Sequence, residues 1–410
     1  MKRQATTGDV WKTPTKIWNV MFISIFISNI GLNMGQQMSN SLLGVYAKSL
    51  NAPAVQIGQL MSAFAVTALI FHFISGPAMN TYNRKKLLII SMGFMAIAFL
   101  GFGFSPDIAQ KFGMDPVQVM ILFRLIQGVG NAFGNGCSLT IVTDMLPRKQ
   151  FTTGMSYYAC AQAISQAIGP TVGVFLRDLM GYHNTYIVFF FVMLGAMVLT
   201  MRVRTMPQKT IPFSLKLDNI IAKEAVALGC ITLFLVIGYA AINSFLLVYA
   251  EEKHIAGGAL FFTVYAATLL LSRPIVGRLT DKYGFVQVAI PFLLMTVISL
   301  LLIGYSQKLW MLLLAAAANA FGFGAVQPML QSLCMKAVPQ ERRGSASATN
   351  YIFMDIGTIL GSNICGFIAE IYGYTEIMWN VMATSVLLGG VVIFLVRDKI
   401  VKIERQFIES

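Results

Sequence analysis

The chain has 410 residues, 56% of them hydrophobic and 11% charged, with a mean hydropathy of +0.70 and a formal charge of +13. Soluble domains carry roughly a quarter charged residues, so an ordinary soluble domain is excluded. The apolar runs are each about 20 residues or longer, enough to cross a hydrocarbon core of about 30 Å, and barrel-type alternation is absent; an all-α, multi-span membrane protein is predicted.

A net charge of +13 raises the question of nucleic acid, which the placement of the basic residues answers. One alternate set of loops holds only Lys48, Lys111, Arg177, Lys253 and Lys308, and Arg124 and Arg273 fall within helices. The rest of the 30 Lys and Arg lie in the termini and the other loops. That asymmetry is the positive-inside bias, so both termini are expected in the cytoplasm and the protein in the cell membrane, with the lipid bilayer and not nucleic acid as its surroundings. Cys137, Cys160, Cys230, Cys334 and Cys365 fall in apolar runs without metal-ligand spacing and read as small core residues. Nothing after residues 1–16 reads as a signal-peptidase site, so the first helix is expected to stay.

Twelve spans are predicted. Six cover residues 17–46, 55–77, 87–105, 116–145, 152–179 and 185–203; past a linker at 204–221, six more cover 222–249, 258–279, 285–305, 309–338, 344–371 and 375–396. The domain reading is a six-helix half at 1–203, a cytoplasmic linker at 204–221, a second half at 222–397 and a cytoplasmic tail at 398–410. Pro207 and Pro212 keep the linker from forming one continuous helix.

Polar residues inside these spans are the candidates for function. The first span carries Asn29, Asn33, Gln37 and Asn40 on one face, neutral amides suited to hydroxyls and carbonyls but not to protons. His72 in the second span reads as a satisfied structural histidine in preference to a proton site. In the fourth, the stretch 121–136 (ILFRLIQGVGNAFGNG) sets Arg124, Gln127, Asn131 and Asn135 on one stripe, with Gly128, Ala132 and Gly136 beside it for close packing.

The fifth span offers Gln162 and Gln166, then Gly169-Pro170, expected to interrupt the backbone ladder and bend the helix, and Gly173, expected to admit a close neighbour. Tyr239 and Asn243 in the seventh span, and Asn319, Phe323, Gln327 and Gln331 in the tenth, extend the list of cavity-lining candidates. Arg273 lies one turn before Gly277 and reads as a gate or anchor that reaches the membrane rim.

Asp355 is the sole carboxylate deep inside a span, eleven residues past Gly344, or about 16 Å along the helix. Tyr351, Thr358 and Ser362 share its face. A carboxylate there can bind and release a proton as its surroundings alternate between wet and dry, or it can pair with an arginine to hold two helices together. Arg124 keeps its charge, so it either holds an anionic group or steadies the ionised form of a partner carboxylate. No nucleophile–base set, Walker A sequence or metal cluster is found, so no enzyme activity and no cofactor are expected, and an ion gradient is implied as the energy source.

Repeats divide the chain in two. The word NAFG recurs at 131 and 319; Gly76, Asn80 and Tyr82 match Gly277, Asp281 and Tyr283 at one offset, and Pro147, Gly169 and Gly181 match Pro339, Gly361 and Gly373 at another. The stretches 76–87 (GPAMNTYNRKKL, with Arg84) and 277–285 (GRLTDKYGF) resemble the two copies of the cytoplasmic motif A of the major facilitator superfamily. Residues 121–130 resemble its motif B, and 169–173 (GPTVG) the motif C of its drug:proton antiporter branch.

The resemblance spans both halves. It departs at Asn80, where the motif has an acid that Asp281 keeps in the second half. It implies twelve transmembrane helices in two six-helix repeat halves, gating at Gly76, Asn80, Arg84, Gly277 and Asp281, a leak seal at Gly169, Pro170 and Gly173, and a part for Arg124 in proton coupling. The expected function is proton-coupled efflux of small organic molecules by a monomer. The alternatives are a proton-coupled importer and a non-transporting sensor or scaffold of the same fold.

Overall fold

The computed structural model of the protein describes residues 18–145, 151–203, 221–338 and 343–409. Residues 204–220 of the linker and the side chain of Cys160 lie outside the described residues. Among the described residues the structure is helical. The first half comprises α1 (Val20–Ser49), α2 (Ala54–Thr81), α3 (Arg84–Gly103), the short α4 (Ser105–Phe112), α5 (Pro116–Met145) and α6 (Phe151–Arg202). The second comprises α7 (Val226–Glu252), α8 (Leu260–Tyr283), α9 (Phe285–Gly304), α10 (Leu309–Phe321), α11 (Phe323–Lys336), α12 (Arg343–Tyr372) and α13 (Glu376–Leu395), followed by α14 (Arg397–Glu409). Nine stretches of the described residues are long and apolar enough to cross a membrane. One of them, Ile164–Arg202, runs from the fifth span into the sixth; the amide-bearing α1 and the more polar α8 complete the twelve.

Three local features differ from the sequence reading. The fifth and sixth spans join without a loop, and the turn is made by Gly181 at φ 78° and ψ 171°, a left-handed region that favours glycine. Pro170 sits inside the helical run of α6, and the non-helical residue of that run is Gly181. Pro170 removes one backbone donor, a loss that a helix packed among membrane neighbours tolerates. The tenth span is two helices, α10 and α11, parted at Gly322 (φ −74°, ψ −95°), where a Cβ would lie 2.6 Å from the Thr296 backbone nitrogen of α9.

The tail is the third difference, because it forms α14. Ile400 and Ile403 are buried, and Glu404 accepts a hydrogen bond from the Phe285 backbone N–H at 2.9 Å, which caps the start of α9. A cavity of about 470 Å³ lies beneath α14, between the ends of α8 and α11, away from the seam between the halves.

The halves meet along α2 with α12, α1 with α7 and α6 with α8. Small residues set the closest approach: a Cβ at Gly58 of α2 would lie 2.6 Å from the Ser362 carbonyl oxygen of α12, and one at Gly366 would lie 2.7 Å from the Ala54 carbonyl oxygen. Backbone against backbone, these helices pack in the manner of small-residue membrane crossings.

Candidate functional site

The first half buries its charge. Arg124 on α5 is 1% exposed; its Nη2 donates to Asn40 Oδ1 of α1 at 2.6 Å, its Nη1 donates to Gln127 Oε1, and its guanidinium lies 4.7 Å from the Phe64 ring centroid of α2. A guanidinium has five N–H donors, and these partners are neutral. Its Nε and the Gln127 Nε2 have no hydrogen-bond partner. Cation–π contact, about 0.5–2 kcal/mol, offsets only part of the desolvation, so this charge is held at a cost that packing alone does not require. Gly128 permits the approach, since a Cβ there would lie 2.5 Å from the Phe64 carbonyl oxygen.

The amide stripe of α1 divides into two functions. Asn29 is 1% exposed, and its Oδ1 accepts from Asn33 Nδ2 at 2.9 Å and from the Tyr158 hydroxyl of α6 at 3.1 Å. It therefore joins helices and does not line a cavity wall. Gln127 and Asn319, also read as cavity-lining, are buried with no exposed surface. A stripe identified by spacing alone includes the flank of the helix as well as its inner face.

Asn33, Gln37, Asn131, Gln162, Asn243 and Gln327 are half-buried. Asn135 Nδ2 donates to Asn131 Oδ1 at 3.0 Å. Gly169 and Gly173 bring α6 onto α1: a Cβ at Gly169 would lie 3.0 Å from the Met34 carbonyl oxygen, and one at Gly173 would lie 2.5 Å from Met38 Cγ.

The second half contributes an aromatic surface. The break at Gly322 presents Phe323 to Tyr239 of α7, and the two rings stack at 3.7 Å with 7° between their planes; Tyr265 of α8 lies 6.3 Å from Tyr239. Gln331 Nε2 donates to the Tyr351 hydroxyl at 3.3 Å, and Tyr351 is 38% exposed although it lies mid-helix. Sequence pattern had named Tyr239, Phe323 and Tyr351 as candidates, but not Tyr265. It had not shown that Phe323 owes its position to a helix break.

Asp355 on α12 does not pair with an arginine among the described residues. Its Oδ2 lies 2.8 Å from His72 Nδ1 of α2, across the boundary between the halves, and the side chains are 14% and 17% exposed. His72, read from sequence as a structural histidine, is thus brought to the one deep carboxylate, and no spacing rule links positions so far apart in the chain. Arg84 Nε donates to the Met79 carbonyl oxygen at 3.2 Å. Gly76 and Gly277 fall within α2 and α8, but their packing, and the side chains of Asn80, Arg273 and Asp281, are not among what the structure describes.

Ion pairs close the bundle at the end away from α14. Arg177 Nη1 meets Glu251 Oε1 at 2.5 Å and its Nη2 meets Asp178 at 2.7 Å; Lys48 pairs with Glu252 and lies 4.6 Å from the Tyr374 ring centroid. Glu370 Oε2 accepts from the Ala54 N–H at 2.8 Å, and the Thr171 and Thr263 hydroxyls lie 3.0 Å apart. Each contact joins the two halves except that to Asp178.

Two six-helix halves of apolar helices, joined across their boundary by α2 with α12, α1 with α7 and α6 with α8, are the architecture of a membrane transporter. The chain belongs to the Major Facilitator Superfamily, whose family model matches residues 21–263 and 228–407. Among curated proteins it is similar to the quinolone resistance protein NorA of Staphylococcus aureus (23% identical, over 93% of this chain and 96% of the relative) and to the staphylopine export protein of the same organism (23%, 86% and 90%). It is also similar to an uncharacterized transporter of Methanocaldococcus jannaschii (21%, 90% and 96%).

Solved structures of the same fold include the nucleoside transporter NupG, with a TM-score of 0.68 at 16% identity over 92% of this chain and 98% of that one. A POT family transporter in complex with a thioalcohol-conjugated peptide has a TM-score of 0.72 at 12% identity over 93% and 96%. The protein is a transporter and not an enzyme.

Proposed function

We propose that the protein exports small organic molecules across the cell membrane by alternating access, in exchange for protons and without a cofactor, as a monomer with both termini in the cytoplasm. The observation that carries this reading is Asp355: a half-buried carboxylate at the seam, on the face where one half moves against the other. A group there changes its solvation whenever the seam rearranges, which is what links proton binding to conformation.

The end joined by the ion pairs is then the outer one, and the α14 end faces the cytoplasm. The positive-inside bias supports that orientation. Arg124, bound by amides and not by Asp355, contributes a fixed positive charge that biases proton and cargo alike. Half-buried amides and the Tyr239–Phe323 stack suit a cargo with hydrogen-bonding groups around a flat apolar body. The names of the two staphylococcal relatives support export, and motif C points the same way.

The test is flux in proteoliposomes, using the compounds from a broad panel that raise the thermal stability of the purified protein. Export predicts that an opposing proton gradient accelerates movement of cargo out of the cytoplasmic side. Cargo that accumulates in the direction of the protons supports the importer, and binding without flux the sensor.

A further inference from the structure

We propose that His72 and Asp355 bind the coupling proton jointly, so that a single proton site is assembled from one residue of each half. This rests on the reading of the protein as proton-coupled and names the second group of that site. His72 Nδ1 and Asp355 Oδ2 are 2.8 Å apart, on α2 and α12, and the side chains keep exposed edges of 17% and 14%, so the pair is mostly enclosed by protein without being fully buried.

The proton count decides what such a pair does. A neutral imidazole donating Nδ1–H to an ionised carboxylate carries a net charge of −1. One further proton, taken from water, makes the pair neutral, either as imidazolium with carboxylate or as imidazole accepting from a carboxyl group. Enclosed by protein, the neutral pair is favoured over the lone negative charge. Parted and solvated, an imidazole holds a proton only below about pH 6.5 and a carboxylate only below about pH 4. Closing the α2–α12 seam therefore takes up one proton and parting it returns one to water, and no other bond changes.

Among the described residues, the charged and titratable groups on the surrounding elements are engaged elsewhere or stand at helix ends. On α12 the nearest titratable neighbour is Tyr351, whose ring lies 5.6 Å from the imidazole and whose hydroxyl is occupied by Gln331 of α11. The Arg124 fork on α5 is committed to Asn40 and Gln127, and the Tyr158 hydroxyl of α6 to Asn29. α1 presents amides, and on α7 Tyr239 is in its own aromatic stack. Lys336 of α11 and Glu376 of α13 stand at the termini of their helices. Asp355 has one ionisable hydrogen-bond partner among the described residues, and it comes from the opposite half.

The site is tested by infrared difference titration of the full chain in an ester-free detergent, following the carboxyl stretch that Asp355→Asn abolishes, together with nitrogen NMR of the His72 ring. A joint site predicts that the carboxyl and the ring titrate with one midpoint, and that His72→Gln shifts the carboxyl midpoint by at least about one pH unit, a tenfold change in proton affinity. A carboxyl that titrates identically with and without His72 overturns the proposal. If His72→Gln does not fold, the parent alone decides: separate midpoints for ring and carboxyl overturn it too. A purely structural pair lowers thermal stability in both variants and leaves the midpoint in place. The measurement needs no cargo. Joint titration without gradient-driven flux retires proton-coupled export and leaves the site standing; gradient-driven flux unaltered by His72→Gln retires the joint site and leaves export standing.

Discussion

Gly58 of α2 and Gly366 of α12 touch backbone to backbone across the two halves, such that a Cβ on Gly366 would lie 3.2 Å from the Gly58 Cα. No side chain cushions this crossing, so the distance between the halves at the end joined by the ion pairs is set by the main chain. Overpacking of such a contact costs typically 1–3 kcal/mol, which corresponds to a shift of roughly fivefold to more than a hundredfold between two conformations. Gly366→Val is expected to hold that end open, read as faster thiol labelling of a cysteine at Thr171. Unchanged labelling with unchanged stability would show that the crossing does not control closure.

The ion pairs at the same end act in the same direction but more weakly. Glu251, Glu252 and Asp178 are substantially exposed, and exposed pairs are worth about 0.2–1 kcal/mol each. Arg177→Gln combined with Lys48→Gln is expected to raise the labelling rate at that end only severalfold, and salt should reproduce part of the effect in the parent. An effect larger than that of Gly366→Val would reverse the ranking argued from packing.

At the helix break, Gly322→Ala sets a methyl group against the Thr296 backbone, which cannot yield as a flexible side chain does. Phe323 should then lose its register with Tyr239, and cargo binding should weaken about tenfold or more while helix content stays constant by circular dichroism. Tyr239→Phe keeps the ring and is expected to retain most of the binding; Tyr239→Ala is expected to lose it. Equal loss in both would assign the contact to the hydroxyl.

Much of this architecture was legible in the residues. The boundaries of α5 match the sequence reading, the repeat words fall at equivalent places in the two halves, and the depth of Asp355 follows from counting residues along one helix. Tertiary contacts settled the rest. NAFG occurs in both halves, yet α5 runs through it while the tenth span breaks, because it is the backbone of α9 that crowds Gly322. Helical spacing placed Asn29, Gln127 and Asn319 on inner stripes, but a period says nothing of which neighbour covers the stripe's edge. His72 and Asp355 stand 283 positions apart, and only folding brings them together.

For the buried arginine, removing an acceptor should cost more than changing the donor's shape. Asn40→Ala leaves a further guanidinium N–H unpaired in a site that is 1% exposed, so a loss of about 2–4 kcal/mol in stability is expected from chemical denaturation. Arg124→Lys keeps the charge but cannot reach Asn40 and Gln127 with one planar fork, and both stability and flux should fall. A stable, fully active Arg124→Lys would show that charge alone is required.

Orientation is open to a direct check. A cysteine at Lys111 or Lys253 should react with an impermeant reagent applied to intact cells, and one at Lys85 should react only after the membrane is opened. The reverse pattern would place α14 and the loop after α2 outside.

The Glu404 cap on α9 has a consequence for the order in which the protein is made. Phe285 leaves the ribosome 119 residues before the carboxylate that accepts its N–H. Throughout the synthesis of α10 to α13 the start of α9 carries an unmet donor, and the second half reaches its final arrangement only when α14 folds back onto it. A chain released after α13 would have all twelve spans and this one joint unmade.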